Sequence, residues 1–501
     1  MGSIILDYKL NFSPDLTEAQ AEALHQRTAS KILHCCQQNE GLYIKFGQVF
    51  ALNAAVLPAP FATTLKVLYD DAPAVGMDQV ISIFQEEFGQ SPQRLFRSFS
   101  PSPIASASIA QVHRATRWDG QEVAVKVQKP SIHLQMNADL SIYRFVIGVF
   151  EWAFDLPMLW TADYTIRHIR QETDFLREAS NAQEASAHLA TDPDLSHDIY
   201  IPRVFPEETS SRILTCEWVN GVKVTEVNDI HAMGLSIPRV MALVVDLFAF
   251  QIFQSGFVHC DPHPGNVLVR RHPSNPFVPQ ILLIDHGLYM REDPAFRKQY
   301  CQLWKALLLQ DLKALESICS KWGISDIPIF ASATLMRPWN IGGIQSSINE
   351  PTSTSSTQQD TYSSQSEAKD RVRAFLSNSQ SIPLELIMVG RNLNIVRSIN
   401  RSAGSPVNRI GLMADRAVRA LGFDGSRNIG RRIRSRWMWI RFRLSLWTLS
   451  LAFHAVHAYQ CLLHYMTGQR ALGFEETLDR QVSQAMKDQF GITLQENIFE
   501  G

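Results

Sequence analysis

The sequence predicts an α+β chain folded as two lobes, a small β-rich one and a larger helical one, with extra helices ahead of both. Three observations carry this reading. Residues 98–127 alternate small apolar and polar residues around Asp119-Gly120, as two strands joined by a tight turn do. Apolar residues recur at helical spacing before and after that segment, beginning with Leu16, Ala19, Ala23 and Leu24. Two short apolar runs, 267–269 and 281–284, are flanked by polar residues that can do chemistry: Asp261 and Asn266 before the first, Asp285 after the second.

Taken in order, residues 16–57 read as helical and contain the stretch GLYIKFGQ. A helix over 77–88 stops at Gly89. Pro130 marks a break, and helices resume over 136–154 and 165–187. Residues 199–204 and 212–218 read as strands, Asn220-Gly221 as a turn, and 238–254 as an amphipathic to buried helix. Residues 270–279 are polar and Pro-rich and read as a loop. Most of the remainder is helical, except EPTSTSSTQQDTYSSQSEAKD, which is too polar to bury a core and is expected to be disordered. The organisation expected is an N-terminal helical extension, 1–95, a β-rich lobe with inserted helices and a hinge, 96–220, a helical lobe, 221–340, a linker, 341–370, and a C-terminal helical region, 371–501.

Composition narrows the function. Lys+Arg total 47 against 49 for Asp+Glu, so the molecule as a whole is not a nucleic-acid binder by charge. Seven cysteines stand at wide spacings with no C-x-x-C pair, which points away from a zinc site or disulfide framework and toward a reducing compartment. The start shows no secretory signal or Arg-rich transit pattern, and Leu6 breaks the myristoylation pattern begun by Gly2.

Phosphoryl transfer requires a cation on the nucleotide phosphates, oxygen ligands for Mg²⁺, a carboxylate facing the acceptor hydroxyl and a loop over the phosphates. Val123-Ala124-Val125-Lys126 nearly matches the kinase V-A-I-K element, and an ammonium inside an apolar strand must be paired. His259-Cys260-Asp261 through Asn266 keeps the H-x-D-x-x-x-x-N spacing, with Asp261 expected at the attacking oxygen and Asn266 at the metal. Asp285-His286-Gly287 takes the place of D-F-G, with Asp285 expected to chelate Mg²⁺. Each pattern alone is matched by ordinary structure: an edge-strand Lys, a Pro/Gly-rich turn, a strand-ending turn. Their order and spacing together point to chemistry.

The whole set resembles the UbiB-like, or AarF-domain, atypical kinase family, over roughly residues 20–300. The most specific elements are HCDPHPGN at 259–266 and K-x-G-Q at Lys45, Gly47 and Gln48, with Tyr69-Asp70-Asp71-Ala72-Pro73 and PIASASIAQVH in support. The resemblance implies a two-lobed protein-kinase-like fold that binds ATP or ADP with Mg²⁺. It places Ala105, Ser106, Ala107 and Ser108 over the phosphates, where typical kinases have a Gly-rich loop; Ala and Ser bend less freely than Gly. It places the Lys45–Gln48 segment across the active site, with Lys45 toward Glu172 of an E-x-D motif and Glu178 toward Lys126. The sequence does not choose between the two glutamates, which six residues apart on one helix would not share a face. Thr215 to Gly221 looks like the hinge, with backbone groups of Glu217 and Val219 on adenine and Cys216 behind them. The resemblance also implies ubiquinone or lipid homeostasis, possession of a mitochondrial inner-membrane location, and the mitochondrial aarF-domain-containing subgroup.

Seven arginines and no acidic residue lie between Arg427 and Arg443, interleaved with Trp437, Trp439 and Phe442. No Asp, Glu, Lys or Arg follows until Arg470, a span long enough to cross a bilayer. His457, Gln460 and His464 share roughly one helical face, which suits an amphipathic helix at a membrane surface or in a core. Membrane or lipid contact and a buried helix both remain open here, whereas the apolar surroundings disfavour nucleic acid. Two functions compete: Mg²⁺-dependent ATP hydrolysis or phosphoryl transfer to a small or lipid-linked acceptor, and a nucleotide-controlled switch for a membrane or protein partner. No protein partner is named by the sequence.

Overall fold

The computed structural model describes residues 2–12, 17–39, 41–52, 59–69, 74–154, 159–324, 327–335 and 383–422, with most positions from 440 to 459. The helical extension comprises α1 (Gly2–Asn11), α2 (Glu18–Asn39), α3 (Gly41–Leu52), α4 (Ala59–Leu65) and α5 (Met77–Phe88), with a short α6 (Pro92–Leu95). The helical stretch expected over 16–57 is divided at Gly41, whose φ of +51° suits the residue without a Cβ. Gly47 lets α3 approach its neighbours: a Cβ there would lie 2.2 Å from Leu68 Cδ1 and 3.0 Å from Cys36 Sγ. Helix α5 ends as its sequence suggests, with Gly89 at φ +69° and its N–H on the Gln85 carbonyl.

The small lobe is an antiparallel sheet of β1 (Ser98–Phe99), β2 (Ala105–Ser106), β3 (Ala110–Thr116), β4 (Glu122–Gln128) and β6 (Ile213–Glu217). Its order is β1-β3-β4-β6, with β2 also on β3. Asp119-Gly120 turns β3 into β4, Gly120 at φ +87°. Alternation along β4 sends Val123, Val125 and Val127 into a core with Val80, Ile83 and Phe84 of α5. Ala124 and Lys126 therefore lie on the other face, paired in register with Cys216 and Leu214.

Three helices follow, α7 (Pro130–Phe154), α8 (Leu159–Glu172) and α9 (Phe175–Leu189). Pro130 begins α7 instead of breaking the chain, because the first turn needs no proline N–H. The single helix expected over 165–187 is two, separated where Asp174 accepts from the Leu176 N–H as an N-cap.

In the larger lobe, β5 (Ile199–Tyr200), β7 (Val222–Lys223), β9 (Val267–His272) and β10 (Asn275–Leu283) form a sheet in the order β5-β10-β9-β7, and β8 (Phe257–His259) pairs with β11 (Tyr289–Arg291). The strand expected over 199–204 is only two residues long. The loop expected over 270–279 is the end of a hairpin, in which a register shift between Asn275 and Pro279 accommodates the prolines. The helices are α10 (Val227–Ala232), α11 (Ile237–Phe250), α12 (Pro294–Leu309), α13 (Leu312–Lys321), α14 (Ile327–Leu335), α15 (Leu384–Ser402) and α16 (Arg409–Leu421). Residues Ile237–Ser255 are long and apolar enough to span a bilayer, but two-thirds of that window is buried within the lobe, as in a core helix (67%). Arg416 ties α16 to the lobe through Asp192, Asp246 and Gln254.

The linker at 341–370 and most of the Arg/Trp-rich segment, including Trp437 and Trp439, lie outside the described residues, as do His457, Gln460 and His464. In the described part beyond it, Phe442 and Phe453 are buried, while Ile440, Leu444, Trp447 and Leu451 are exposed.

Candidate active site

Lys126 lies on the face of β4 opposite the valine core. Its Nζ donates to Glu178 Oε1 and Oε2 at 2.9 and 2.8 Å and lies 3.7 Å from Asp285 Oδ2. Burial would lower the Lys126 pKa, but the charges of Glu178 and Asp285 outweigh it and raise the pKa overall. Burial also pushes Glu178 up to about 7; Lys126 pulls it back and Asp285 adds to the rise. Burial acts on Asp285 in the same sense, yet Lys126 and the Gly287 N–H hold it below the usual carboxylate range.

Glu178 therefore makes stability depend on pH. Below the ordinary value of 4.5 it is protonated in both states; as pH rises toward about 7 the unfolded chain ionises first, and the folded state loses stability. Glu178→Gln removes that titration. Thermal midpoints measured from pH 5 to 8 should fall more for wild type than for the variant. Parallel curves would contradict the assignment.

The two motif loops are stitched together by His259. Its Nδ1 accepts from the Asp261 N–H at 3.0 Å, so its Nε2 donates to the Asp285 carbonyl, also at 3.0 Å. Burial depresses the His259 pKa, which favours this neutral ring. His286 occupies the middle of Asp285-His286-Gly287 and is likewise depressed by burial, to about 4. It bonds the Leu283 carbonyl and Tyr289 hydroxyl at 3.1 and 3.0 Å. On the β9–β10 hairpin the Ile284 N–H bonds the Asn266 carbonyl at 3.1 Å, which sets Asn266 beside the residue preceding Asp285.

The two glutamates lie on different helices, α8 and α9, and both reach Gly287: a Cβ there would lie 3.6 Å from Glu172 Cγ and 3.8 Å from Glu178 Oε2. Glu172 accepts from Lys45 Nζ at 2.6 Å. Burial opposes the Lys45 charge, but Glu172 and Asp261 raise its pKa overall. Gln48, on the same helix as Lys45, donates to the Leu68 carbonyl at 2.8 Å and so braces α3 against the turn after α4.

Ala105 and Ser106 pair with β3, and the Ala107 N–H bonds the Ala110 carbonyl at 2.8 Å, closing a tight turn around Ser108. The next residue, Ile109, packs with Leu42 and Phe46 of α3. Ser106 Oγ is buried with no partner among the described residues. At the hinge, the Glu217 N–H is committed to the Arg203 carbonyl at 2.8 Å, so only the carbonyl of that residue can face an adenine. The Glu217 side chain is occupied by the Tyr200 hydroxyl at 2.5 Å. Val219 is half-buried just beyond, and burial raises the Cys216 thiol to about 12.

Sequence reasoning missed Arg391. From α15 its Nη2 donates to Asp261 Oδ1 at 2.9 Å, and the adjacent Asn392 donates to the His259 carbonyl at 2.7 Å. No local pattern marks these residues, and only the three-dimensional fold brings them to the loop.

A β-rich lobe over a helical one, with a strand-borne Lys paired to a helix-borne Glu and two Asp-bearing loops below, defines the protein-kinase-like fold. Residues 67–319 match the ABC1 atypical kinase-like domain. The chain is 36% identical to the ABC1 family protein lscO of Purpureocillium lilacinum, covering 99% of this chain and 87% of that one. It is 31% identical to AarF domain-containing protein kinase 1 of Xenopus laevis, covering 84% and 79%. Among solved structures, the Rv3197–erythromycin complex from Mycobacterium tuberculosis is similar at 19% identity, over 73% of this chain and 97% of that one, with a TM-score of 0.43. The chain belongs to the ABC1 atypical kinase-like family, in agreement with its UbiB/AarF resemblance.

Proposed function

We propose that the chain binds ATP with Mg²⁺ and hydrolyses it or transfers its terminal phosphoryl group. The observation that carries this reading is the meeting of Lys126, Glu178 and Asp285, with no separation above 3.7 Å along the Lys126 contacts. The donor set suits Mg²⁺: Asp285 supplies a hard, deprotonated oxygen with 36% of its side chain exposed, and Asn266 a neutral one nearby. Bound there, the ion would neutralise phosphate charge. Lys126 would orient the phosphates, the Ala105–Ser108 turn would cover them, and Asp261 would face the acceptor and accept its proton. The Glu217 carbonyl and Val219 N–H would hold adenine, with Lys45 and Glu172 closing the acceptor side.

The acceptor class we favour is a small or lipid-linked molecule, with a role in ubiquinone or lipid homeostasis at the mitochondrial inner membrane. Family resemblance supports this. So does the apolar row Ile440, Leu444, Trp447 and Leu451, spaced along one helical face and more than half exposed. Purified protein should hydrolyse ATP only with Mg²⁺, and faster with vesicles containing anionic lipid. Tight ATP binding without hydrolysis under either condition would replace this reading with that of a nucleotide-controlled switch.

A further inference from the structure

We propose that Arg391 is a positioning residue for Asp261, which makes α15 part of the active site. The inference rests on the reading of Asp261 as the carboxylate that faces the acceptor.

Helix α15 touches three successive residues of the catalytic loop. Asn392, fully buried, holds the His259 carbonyl; Met388 packs against Cys260 and Leu288; Arg391 bonds Asp261. Spacings of three and four residues put Met388, Arg391 and Asn392 on one helical face. The docking is thus a property of the helix, with Arg391 at its exposed edge: its side chain is 34% accessible and that of Asp261 36%.

A carboxylate at the end of a short side chain can rotate and offer either oxygen. The guanidinium fixes one, Oδ1, through a charge-assisted bond and leaves Oδ2 for the acceptor. Arginine suits this task because it stays charged and its donors are held in a planar fork. Among the described residues Lys45 also lies near Asp261, but it is already bonded to Glu172. The carboxylate's orientation therefore depends on Arg391, a residue 130 positions away in sequence.

The test compares full-length wild type, R391M, R391K, D261N and the D261N/R391M double variant. Turnover is measured as kcat and KM for MgATP, alongside MgADP affinity, thermal midpoint and hydrogen exchange over residues 257–267. R391M should lower kcat by roughly 10²-fold, as loss of reactive geometry does, with little change in KM or MgADP affinity. R391K should recover part of the loss, and so should guanidinium ion added to R391M. The double variant should be no slower than D261N, because the two residues act as one unit. Exchange over 257–267 should rise in R391M without a fall in thermal midpoint. The proposal is overturned if R391M matches wild type in turnover, if its defect multiplies with that of D261N, or if exchange is unchanged. A wild type with no turnover would count against the proposed function alone, and the exchange comparison would still decide the role of Arg391.

Discussion

Asp285→Asn is expected to reduce ATP turnover by on the order of 10³-fold, the scale of losing one preorganised electrostatic group at a reacting centre. The substitution keeps the shape of the side chain and can still cap the Gly287 N–H, which now bonds Oδ1 at 3.0 Å. It removes the negative charge that Lys126 faces at 3.7 Å and that a divalent ion would need. Nucleotide should therefore still bind in EDTA, while the tightening of binding that wild type gains from Mg²⁺ disappears. Both parts can be read by titrating a fluorescent ADP analogue with and without the metal. Turnover within tenfold of wild type would exclude Asp285 as a metal ligand.

Lys126→Met should be nearly as damaging to turnover, and it should also weaken the fold. It strands Glu178, whose side chain is 3% exposed and has Lys126 as its cation. Removing one partner of a buried pair costs about 3–5 kcal/mol when the remaining charge stays uncompensated. Glu178 has a way to limit that cost, since burial already lifts it to about 7 and loss of Lys126 lifts it further. It will take up a proton on folding. The range of pH over which stability falls should then extend above the wild-type range, so the two thermal midpoints diverge more at pH 8 than at pH 6. Equal differences at both pH values would mean that Glu178 is not left as the buried, uncompensated charge.

What could be read from the sequence followed from local rules. The β3–β4 hairpin has alternation and an Asp-Gly turn, α5 has an apolar face and a Gly stop, and Lys126 stands out as a charge on an apolar strand. The errors arose where a local signal had two meanings. Pro130 opens a helix as readily as it breaks one. Helical periodicity runs across Thr173-Asp174 although the chain turns there, and that turn is what separates Glu172 from Glu178 and lets each meet a different lysine. Prolines 273, 276 and 279 suggested a loop because a central strand cannot hold them, yet they sit at a hairpin end and its irregularity. Arg391 had no signal at all, because its meaning lies in a contact across the fold.

Ile109, which follows the Ala105–Ser108 turn, shares a buried apolar cluster with Leu42 and Phe46 of α3 and so links the turn to the N-terminal helices. Phe46 is further stacked on Tyr143 of α7, ring centroids 4.2 Å apart. If the Ala105–Ser108 turn covers the phosphates as proposed, a departing nucleotide would have to loosen this hydrophobic contact. On the proposed reading, the seating of α3 would then bear on how readily nucleotide is released.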